Sequence, residues 1–358
     1  MADGSAPRTT ALRPRRAVLA MAPYSPPTAG RAGKLRLDFN ENTIGCSPRV
    51  IEYLKGRLSE SHLATYPEYD EARRDLAAFF GIDERELLLT NGTDEAVQLL
   101  VNTYVDDGDD VLLLRPSYAM YRFYAELAGA SIREVHYRNI DLAFPLEELL
   151  EAVQPWTRLV MLANPNNPTG SGVALDEIER ILDRASQAAV LIDEAYFEFC
   201  GVTALRLVRK RPNLFVSRTF SKVYGMAAMR CGCLISQREN AQYLSKAQSP
   251  YSVNALAVLA AGAAVRDQQY VAEYVNEVLA GRDVAYEGLA QLGIRSYPSQ
   301  ANFILFDAGE RAGRLRDQLR DCGILVRDRS YELPGCVRVT IGTRPQVSRF
   351  LEEMERLW

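Results

Sequence analysis

The chain has 358 residues, of which 47% are hydrophobic and 25% charged. This is the composition of a globular protein long enough to bury a sizeable core, and it excludes wholesale disorder, a collagen-like repeat and a disulfide scaffold. The formal net charge of −4 argues against a general nucleic-acid binder, which would carry a basic stripe. The length predicts about two domains.

Scarce residue types limit the possible chemistry. The chain has two histidines, His62 and His136. So few histidines argue against a histidine-rich metal site and leave few candidates for the base of a Ser-His-Asp triad. The five lysines are Lys34, Lys55, Lys210, Lys222 and Lys246. Six scattered cysteines and the lack of a secretory signal predict a reducing, cytoplasmic setting. The longest uncharged run, 247–265, contains several polar residues, so we expect a buried helix and no membrane span.

The first part of the chain is predicted to be an arm followed by two helices. Residues 1–36 are rich in Pro, Arg, Ala and Gly, which is typical of a mobile N-terminal arm. Ser47-Pro48 predicts a helix start, with a capping serine and a proline at the first helical position. A second helix is predicted over about 68–80 and ends at Gly81.

Short apolar strands and helices then alternate. The predicted strands are 87–90, 110–114, 132–136, 159–162, 190–192, 214–216 and 231–235. The predicted helices between them are 93–104, 118–128 and 175–188. This alternation predicts a mostly parallel sheet covered on both faces.

After about residue 250 the pattern changes to longer helices and fewer strands. The predicted helices are 252–265, 270–292, 312–322 and 345–357, and the predicted strands lie near 303–306, 325–327 and 337–341. We therefore predict an arm over 1–36, a large α/β domain over 37–265 and a small α+β domain over 266–358. The first residues of the large domain are candidates for joining the small one.

Four polar segments follow predicted strands, where open α/β sheets bind ligands. They are Asn91-Gly92-Thr93-Asp94, Asn164 to Gly170, Asp193 to Tyr196, and Ser217 to Lys222 with the nearby Arg230. Each segment alone has an ordinary explanation: a helix cap, a turn-rich loop, a capping carboxylate or a solvated loop lysine. Together they supply phosphate donors, a fixed amide, a carboxylate and a lysine, which a phosphorylated pyridine cofactor bound to lysine requires.

These motifs resemble those of fold-type I aminotransferases that depend on pyridoxal 5′-phosphate, and within them the histidinol-phosphate aminotransferase group. The resemblance covers roughly residues 36–358. It is carried by Asn40-Glu41-Asn42, Tyr66-Pro67, Asn91 to Glu95, Pro116-Ser117-Tyr118, Asn164 to Gly170, Asp193 to Tyr196, Arg218 to Lys222, and Val337 to Gly342. It implies a homodimer with an aspartate-aminotransferase-like large domain and a smaller α+β domain.

The resemblance also implies roles for individual residues. Lys222 would bind the cofactor covalently and move the proton, Asp193 would pair with the ring nitrogen, and Tyr196 would bond the ring's phenolic oxygen. The remaining cofactor contacts implied are Asn167 on that oxygen, Tyr118 on the ring face, and Gly92, Thr93, Thr219, Ser221, Arg230 and the neighbouring subunit's Tyr66 on the phosphate. The implied substrate contacts are Asn42, Asn302, Arg327 and Arg338.

The substrate is less well determined than the reaction. Thr43-Ile44 stands where many members of the group have Pro-Tyr, and Ala228 stands where glycine is common. The main hypothesis is transfer of an amino group from histidinol phosphate to 2-oxoglutarate, in histidine biosynthesis. The alternative is an aromatic amino acid donor, and for Arg327 a simple surface pair with Asp328.

Two other functions belong to different classes. A non-catalytic cofactor-binding regulatory module would normally carry a DNA-binding domain, and residues 1–36 are too short and too proline-rich for a helix-turn-helix. A nucleotide-binding dehydrogenase is disfavoured because no G-x-G-x-x-G opens a helix in the sequence.

Overall fold

The computed structural model describes residues 12–23, 28–138 and 141–358. Within these ranges the helices are α1 (Arg16–Ala20), α2 (Pro48–Arg57), α3 (Glu60–Ala64), α4 (Asp70–Phe80), α5 (Gly92–Tyr104), α6 (Ala119–Ala128), α7 (Leu146–Ala152), α8 (Leu175–Arg184), α9 (Arg238–Ala247), α10 (Ala255–Arg266), α11 (Gln268–Gln291), α12 (Ala312–Asp321) and α13 (Arg344–Leu357). Short 3₁₀ helices cover Glu84–Glu86, Phe197–Phe199, Leu205–Leu207, Ala227–Met229 and Gly309–Arg311.

The strands of the same ranges are β1 (Leu35–Arg36), β2 (Leu87–Thr90), β3 (Asp110–Arg115), β4 (Ser131–His136), β5 (Thr157–Ala163), β6 (Ala189–Asp193), β7 (Leu214–Thr219), β8 (Gly232–Ile235), β9 (Ser296–Tyr297), β10 (Phe303–Asp307), β11 (Ile324–Leu325), β12 (Arg327–Asp328) and β13 (Cys336–Thr340). No helix within the described ranges combines the length and the apolar composition that crossing a membrane requires.

A seven-stranded sheet forms the centre of the molecule, in the order β2-β8-β7-β6-β5-β3-β4. All its strands run parallel except β8, which is antiparallel to both neighbours, β2 and β7. Alternate residues of β3 enter two different hydrophobic clusters: Leu112 and Leu114 one, Val111 and Leu113 the other. Because side chains alternate along a strand, both faces of the sheet are buried. The predicted mostly parallel sheet with covered faces is confirmed.

A second, antiparallel sheet has the order β12-β13-β10-β9, and β1 pairs in parallel with β11. The last two residues of the predicted arm therefore form a strand against Ile324-Leu325. A further part of that arm forms α1, so the predicted arm contains two short regular elements. Residues 1–11 and 24–27 of the arm lie outside the described residues.

Two other predicted elements differ from the structure. The strand predicted over 325–327 divides at the buried Val326, because β11 pairs with β1 whereas β12 pairs with β13. The helix predicted over 175–188 ends at Arg184, where the Asn213 Nδ2 atom donates to the carbonyls of Leu182 and Ala185 at 3.0 Å. These bonds satisfy carbonyl groups that a continuing helix would otherwise use.

Candidate active site

A cavity of about 540 Å³ lies where the carboxyl ends of the central strands face the antiparallel sheet. Most of the residues that the sequence predicts for the site line this cavity. They are Thr93, Tyr118, Asn167, Asp193, Tyr196, Thr219, Ser221, Lys222, Arg230, Arg327 and Arg338. The topology therefore brings the four polar segments and the C-terminal arginines to one place.

Lys222 is the only lysine among the described residues that line the cavity. It follows the end of β7, where the Thr219 hydroxyl accepts a bond from the Ser221 N–H at 3.1 Å and forms a tight turn. The Lys222 Nζ atom donates to the Phe39 carbonyl at 2.9 Å, and it lies 5.8 Å from the centroid of the Tyr196 ring. A flexible amine held in this way is available as a nucleophile and as a proton carrier.

Asp193 ends β6 and is 3% exposed. Its two oxygens accept bonds from the Tyr121 hydroxyl at 2.7 Å and the Ser217 hydroxyl at 2.8 Å. Burial raises the pKa of Asp193 to about 6, against the opposing effect of these two bonds. A buried carboxylate without a cationic partner among the described residues is suited to face a protonated ring nitrogen.

The start of α5 forms the anion-binding end of the cavity. The buried Thr93 hydroxyl has no hydrogen-bond partner among the described residues. The Arg230 guanidinium lies 3.5 Å from the Ser221 hydroxyl and pairs with Asp94 at 3.1 Å. Gly92 has a positive φ of 72°, and a Cβ atom there would overlap Arg230. A helix N-terminus, a free hydroxyl and a guanidinium together fit a phosphate group.

Arg338 on β13 marks the opposite end. Its side chain is 4% exposed, donates to the Asn167 amide oxygen, and donates to the Asp38 carbonyl at 2.6 Å. The buried Nε atom has no partner among the described residues. Burial and, to a smaller extent, the nearby charge of Arg329 lower the pKa of Arg338 to about 10. A buried cation with an unpaired donor is suited to a substrate anion.

Arg327 lies directly opposite Arg338 in the antiparallel pair of β12 and β13. The alternative prediction for Arg327, a surface ion pair with Asp328, is wrong, because Asp328 pairs instead with Arg316 at 3.3 Å. The guanidinium carbon of Arg327 lies 5.7 Å from the centroid of the Phe39 ring.

Four predicted residues do not line the cavity. Gly92 lies directly against the Arg230 guanidinium. Asn42 accepts bonds from the N–H groups of Ile44 and Gly45, so it fixes a loop. Asn302 is fully buried and donates to the Asn40 carbonyl at 3.2 Å. Tyr66 is 74% exposed.

The contacts of several further residues at the site were not predicted from the sequence. Tyr121, Ser217 and Asp94 bond to predicted residues, and so does Asn40, whose Nδ2 atom donates to the Tyr196 hydroxyl at 2.8 Å. Tyr121 lies three residues after Tyr118 on one helix, a spacing that puts both on one face and gave a usable signal. The bonds of Asn40 join positions 156 residues apart, and no local pattern indicates them.

A lysine, a buried carboxylate and a phosphate cradle at the carboxyl ends of such a sheet fit the binding of pyridoxal 5′-phosphate. The chain belongs to the family of class I and II aminotransferases, whose model matches residues 32–354. It is therefore a transaminase. Two features fit its cofactor: the Thr93 hydroxyl has no hydrogen-bond partner among the described residues, and Lys222 is the only lysine among them that lines the cavity.

Similar proteins bear histidinol-phosphate aminotransferase names. The chain is 37% identical to that of Symbiobacterium thermophilum, over 95% of this chain and 97% of the relative. It is 35% identical to that of a Geobacillus species, over 90% of each chain. The solved histidinol-phosphate aminotransferase of Sinorhizobium meliloti, in complex with pyridoxal 5′-phosphate, is 26% identical with a TM-score of 0.87, over 97% of this chain and 98% of that one.

Proposed function

We propose that this aminotransferase takes its amino group from histidinol phosphate and gives it to 2-oxoglutarate, in histidine biosynthesis. The observation that carries the proposal is the pair Arg327 and Arg338, which are register partners and line the same cavity. Neither arginine has a carboxylate within ion-pairing distance among the described residues. Like charges directly opposite each other destabilise a sheet, so the pair favours an anion between them.

Histidinol phosphate supplies such an anion. In this molecule the phosphate ester is attached to the carbon that corresponds to the carboxyl carbon of histidine, next to the carbon that carries the reacting amine. A phosphate dianion uses two guanidinium groups fully, whereas a single carboxylate needs one bidentate arginine. The carboxylate of glutamate or 2-oxoglutarate would use Arg338 in the second half of the reaction. The names of the relatives support the same donor.

The roles of individual residues follow from their contacts. When bound, pyridoxal 5′-phosphate supplies a carbonyl that reacts with amines and a ring that accepts electrons from the Cα–H bond. Lys222 would hold it, and the Lys222 Nζ atom would carry the proton of the substrate Cα atom. Asp193 would keep the ring nitrogen protonated, and its bonds from Tyr121 and Ser217 fix the orientation of its carboxylate.

Other residues orient the cofactor. Thr93, Ser221 and Arg230 would hold its phosphate, with Gly92 leaving room for the guanidinium and Thr219 shaping the turn that carries Ser221. Tyr118 would cover the ring face, and its hydroxyl is fixed by Asp94 at 2.7 Å. Tyr196 and Asn167 would bond the phenolic oxygen. Asn42 and Asn302 fix the backbone of residues 40–45, of which Asn40 and Glu41 line the cavity.

We also propose a homodimer. Tyr66 stacks on Tyr251 with ring centroids 4.2 Å apart, yet the two are 74% and 54% exposed, and Leu63 nearby in sequence is 69% exposed. An exposed apolar patch of this kind suits an interface with a second copy. In that dimer Tyr66 would complete the neighbouring subunit's phosphate site.

We also propose a cytoplasmic setting for the protein. The six free cysteines support it, because a reducing compartment keeps thiols free.

The donor is tested with Arg327→Ala. We expect its kcat/KM for histidinol phosphate to fall about tenfold to hundredfold, because a charge-assisted contact is lost. The kcat/KM for phenylalanine, which has no phosphate, should change much less. Arg316→Ala is the matched control, since Arg316 is a neighbouring arginine that does not line the cavity. Equal losses for both donors, or a wild type that prefers phenylalanine, would favour the aromatic alternative.

A further inference from the structure

Residues 38–41 run along the cavity wall and contact three of its central side chains. The Asp38 carbonyl accepts from Arg338 at 2.6 Å, and the Phe39 carbonyl accepts from the Lys222 Nζ atom at 2.9 Å. The Asn40 Nδ2 atom donates to the Tyr196 hydroxyl at 2.8 Å. The position of this wall segment therefore determines where the lysine amine and the anion-binding arginine lie.

Arg31, which lies outside the cavity, binds two carboxylates of the wall segment. The Arg31 guanidinium bonds both oxygens of Asp38, at 3.1 and 2.8 Å, and both oxygens of Glu41, at 3.2 and 2.6 Å. Its central carbon lies 4.2 Å from the centroid of the Phe39 ring between them. The Arg31 side chain is 15% exposed, so these pairs are shielded from solvent and from salt screening.

Glu41 connects Arg31 to the lysine electrostatically. It lines the same cavity as Lys222, and the two charges attract each other. Burial raises the pKa of Glu41, but the bonds and charge of Arg31 outweigh burial and hold that pKa below its ordinary value. Glu41 is therefore an anion whose charge Arg31 balances. Without Arg31, an unbalanced carboxylate would act on the lysine nitrogen.

We propose that Arg31 is a positioning residue that sets the proton affinity of the lysine nitrogen through Glu41 and the wall segment. The proposal rests on the proposed role of Lys222 as the cofactor-binding lysine. The remaining charged or titratable groups that line the cavity are Asp94, Asp193, Tyr118, Tyr121, Tyr196, Arg230, Arg327, Arg329 and Arg338. None of them pairs with Arg31, so they are common to every variant below.

The test is a pH titration of the visible absorbance of the cofactor-loaded full chain. Arg31→Gln removes the cation that pairs with Asp38 and Glu41, and the excess negative charge left beside Lys222 favours the protonated nitrogen. We expect the absorbance midpoint to rise by about one pH unit. Adding Glu41→Gln to Arg31→Gln should return the midpoint to near the wild-type value, because both charges are then gone. Glu41→Gln alone should lower it.

Arg36→Gln is the matched control. Arg36 approaches the same Glu41 oxygen only at 3.7 Å, and its side chain is 51% exposed. We therefore expect the absorbance midpoint of Arg36→Gln to differ from that of the wild type by at most about a fifth of the shift in Arg31→Gln. The cofactor dissociation constant and thermal midpoint of each variant are measured in parallel. If Arg31→Gln fails to fold, Glu41→Gln provides the test, and its absorbance midpoint should lie below that of the wild type.

Three results would overturn the proposal: an unchanged midpoint in Arg31→Gln, an equal shift in Arg36→Gln, or no return in the double variant. Failure of the proposed function looks different, because the loaded wild type would then lack a lysine-dependent visible band, or Lys222→Ala would keep it.

Discussion

Lys222 is the residue on which the proposed chemistry depends most. We predict that Lys222→Ala loses the covalent attachment of the cofactor and lowers turnover by at least about 10²–10⁴-fold, because the amine and the proton carrier are both removed. Turnover and visible absorbance of the loaded protein provide the measurement. Lys246→Ala, on the exposed side of α9, is the control and should retain both. Normal turnover in Lys222→Ala would refute the assignment.

Asp193 makes the stability of the cofactor-free protein depend on pH. Because burial raises its pKa from 3.8 to about 6, the folded state favours the protonated form. Its stabilising contribution is complete below about pH 4 and is lost as the pH rises through about 6, by up to about 3 kcal/mol. We therefore expect the unfolding free energy of wild type, minus that of Asp193→Asn, to fall between pH 4 and pH 7.

Urea unfolding of both cofactor-free proteins at several pH values measures this difference. Other titrating groups contribute equally to both proteins and cancel. A difference that rises with pH would mean that the anion is stabilised in the folded protein, against the prediction. In the loaded enzyme, Asp193→Asn should also lower turnover by orders of magnitude, since an amide cannot hold the ring nitrogen protonated.

Single residues show where local reasoning succeeds and where it stops. Asp193 and Lys222 were identifiable because each follows an apolar strand directly, and the carboxyl ends of parallel strands share one edge. The partners of Tyr121 and Asn40 were not, because their bonds to Asp193 and Tyr196 join positions 72 and 156 residues apart. A hydroxyl or amide has no pattern of its own that indicates such a distant partner.

At the scale of elements, the start of α5 is the most informative. We predict that Gly92→Ala weakens cofactor binding by at least about tenfold, because a methyl group there displaces the Arg230 guanidinium that binds the phosphate. The measurement is the dissociation constant of pyridoxal 5′-phosphate. Unphosphorylated pyridoxal should be affected much less.

Gly81→Ala, directly after the end of α4, is the matched control for Gly92→Ala at the start of α5. Gly81 has a similar positive φ of 68°, but a Cβ atom there meets nothing within 4 Å. This variant should lose about 1–2 kcal/mol of stability from backbone strain and keep its cofactor affinity. Equal affinity losses in both variants would show that strain, and not the overlap with Arg230, is responsible.

The whole molecule is predicted to work as a dimer, and subunit mixing tests this. If Tyr66 serves the neighbouring subunit, a mixed dimer of Lys222→Ala and Tyr66→Ala chains contains one fully intact site. Random mixing of the two impaired variants should then restore full function to about a quarter of the sites. Activity of the refolded mixture is compared with each variant alone. Light scattering that finds an active monomer, or a mixture no more active than its parts, would refute the arrangement.

The sequence by itself predicted the alternation of strands and helices, the mostly parallel sheet and eleven of the side chains that line the cavity, because these depend on local periodicity and on motifs beside strand ends. Only the tertiary structure decided the antiparallel β8, the division of residues 324–328 between two sheets, and the pairing of Leu35-Arg36 with Ile324-Leu325. It also decided that Arg31 holds Asp38 and Glu41, and that Arg327 faces Arg338. The physical reason is that strand partners and buried ion pairs are chosen by packing between distant segments, which no local pattern encodes.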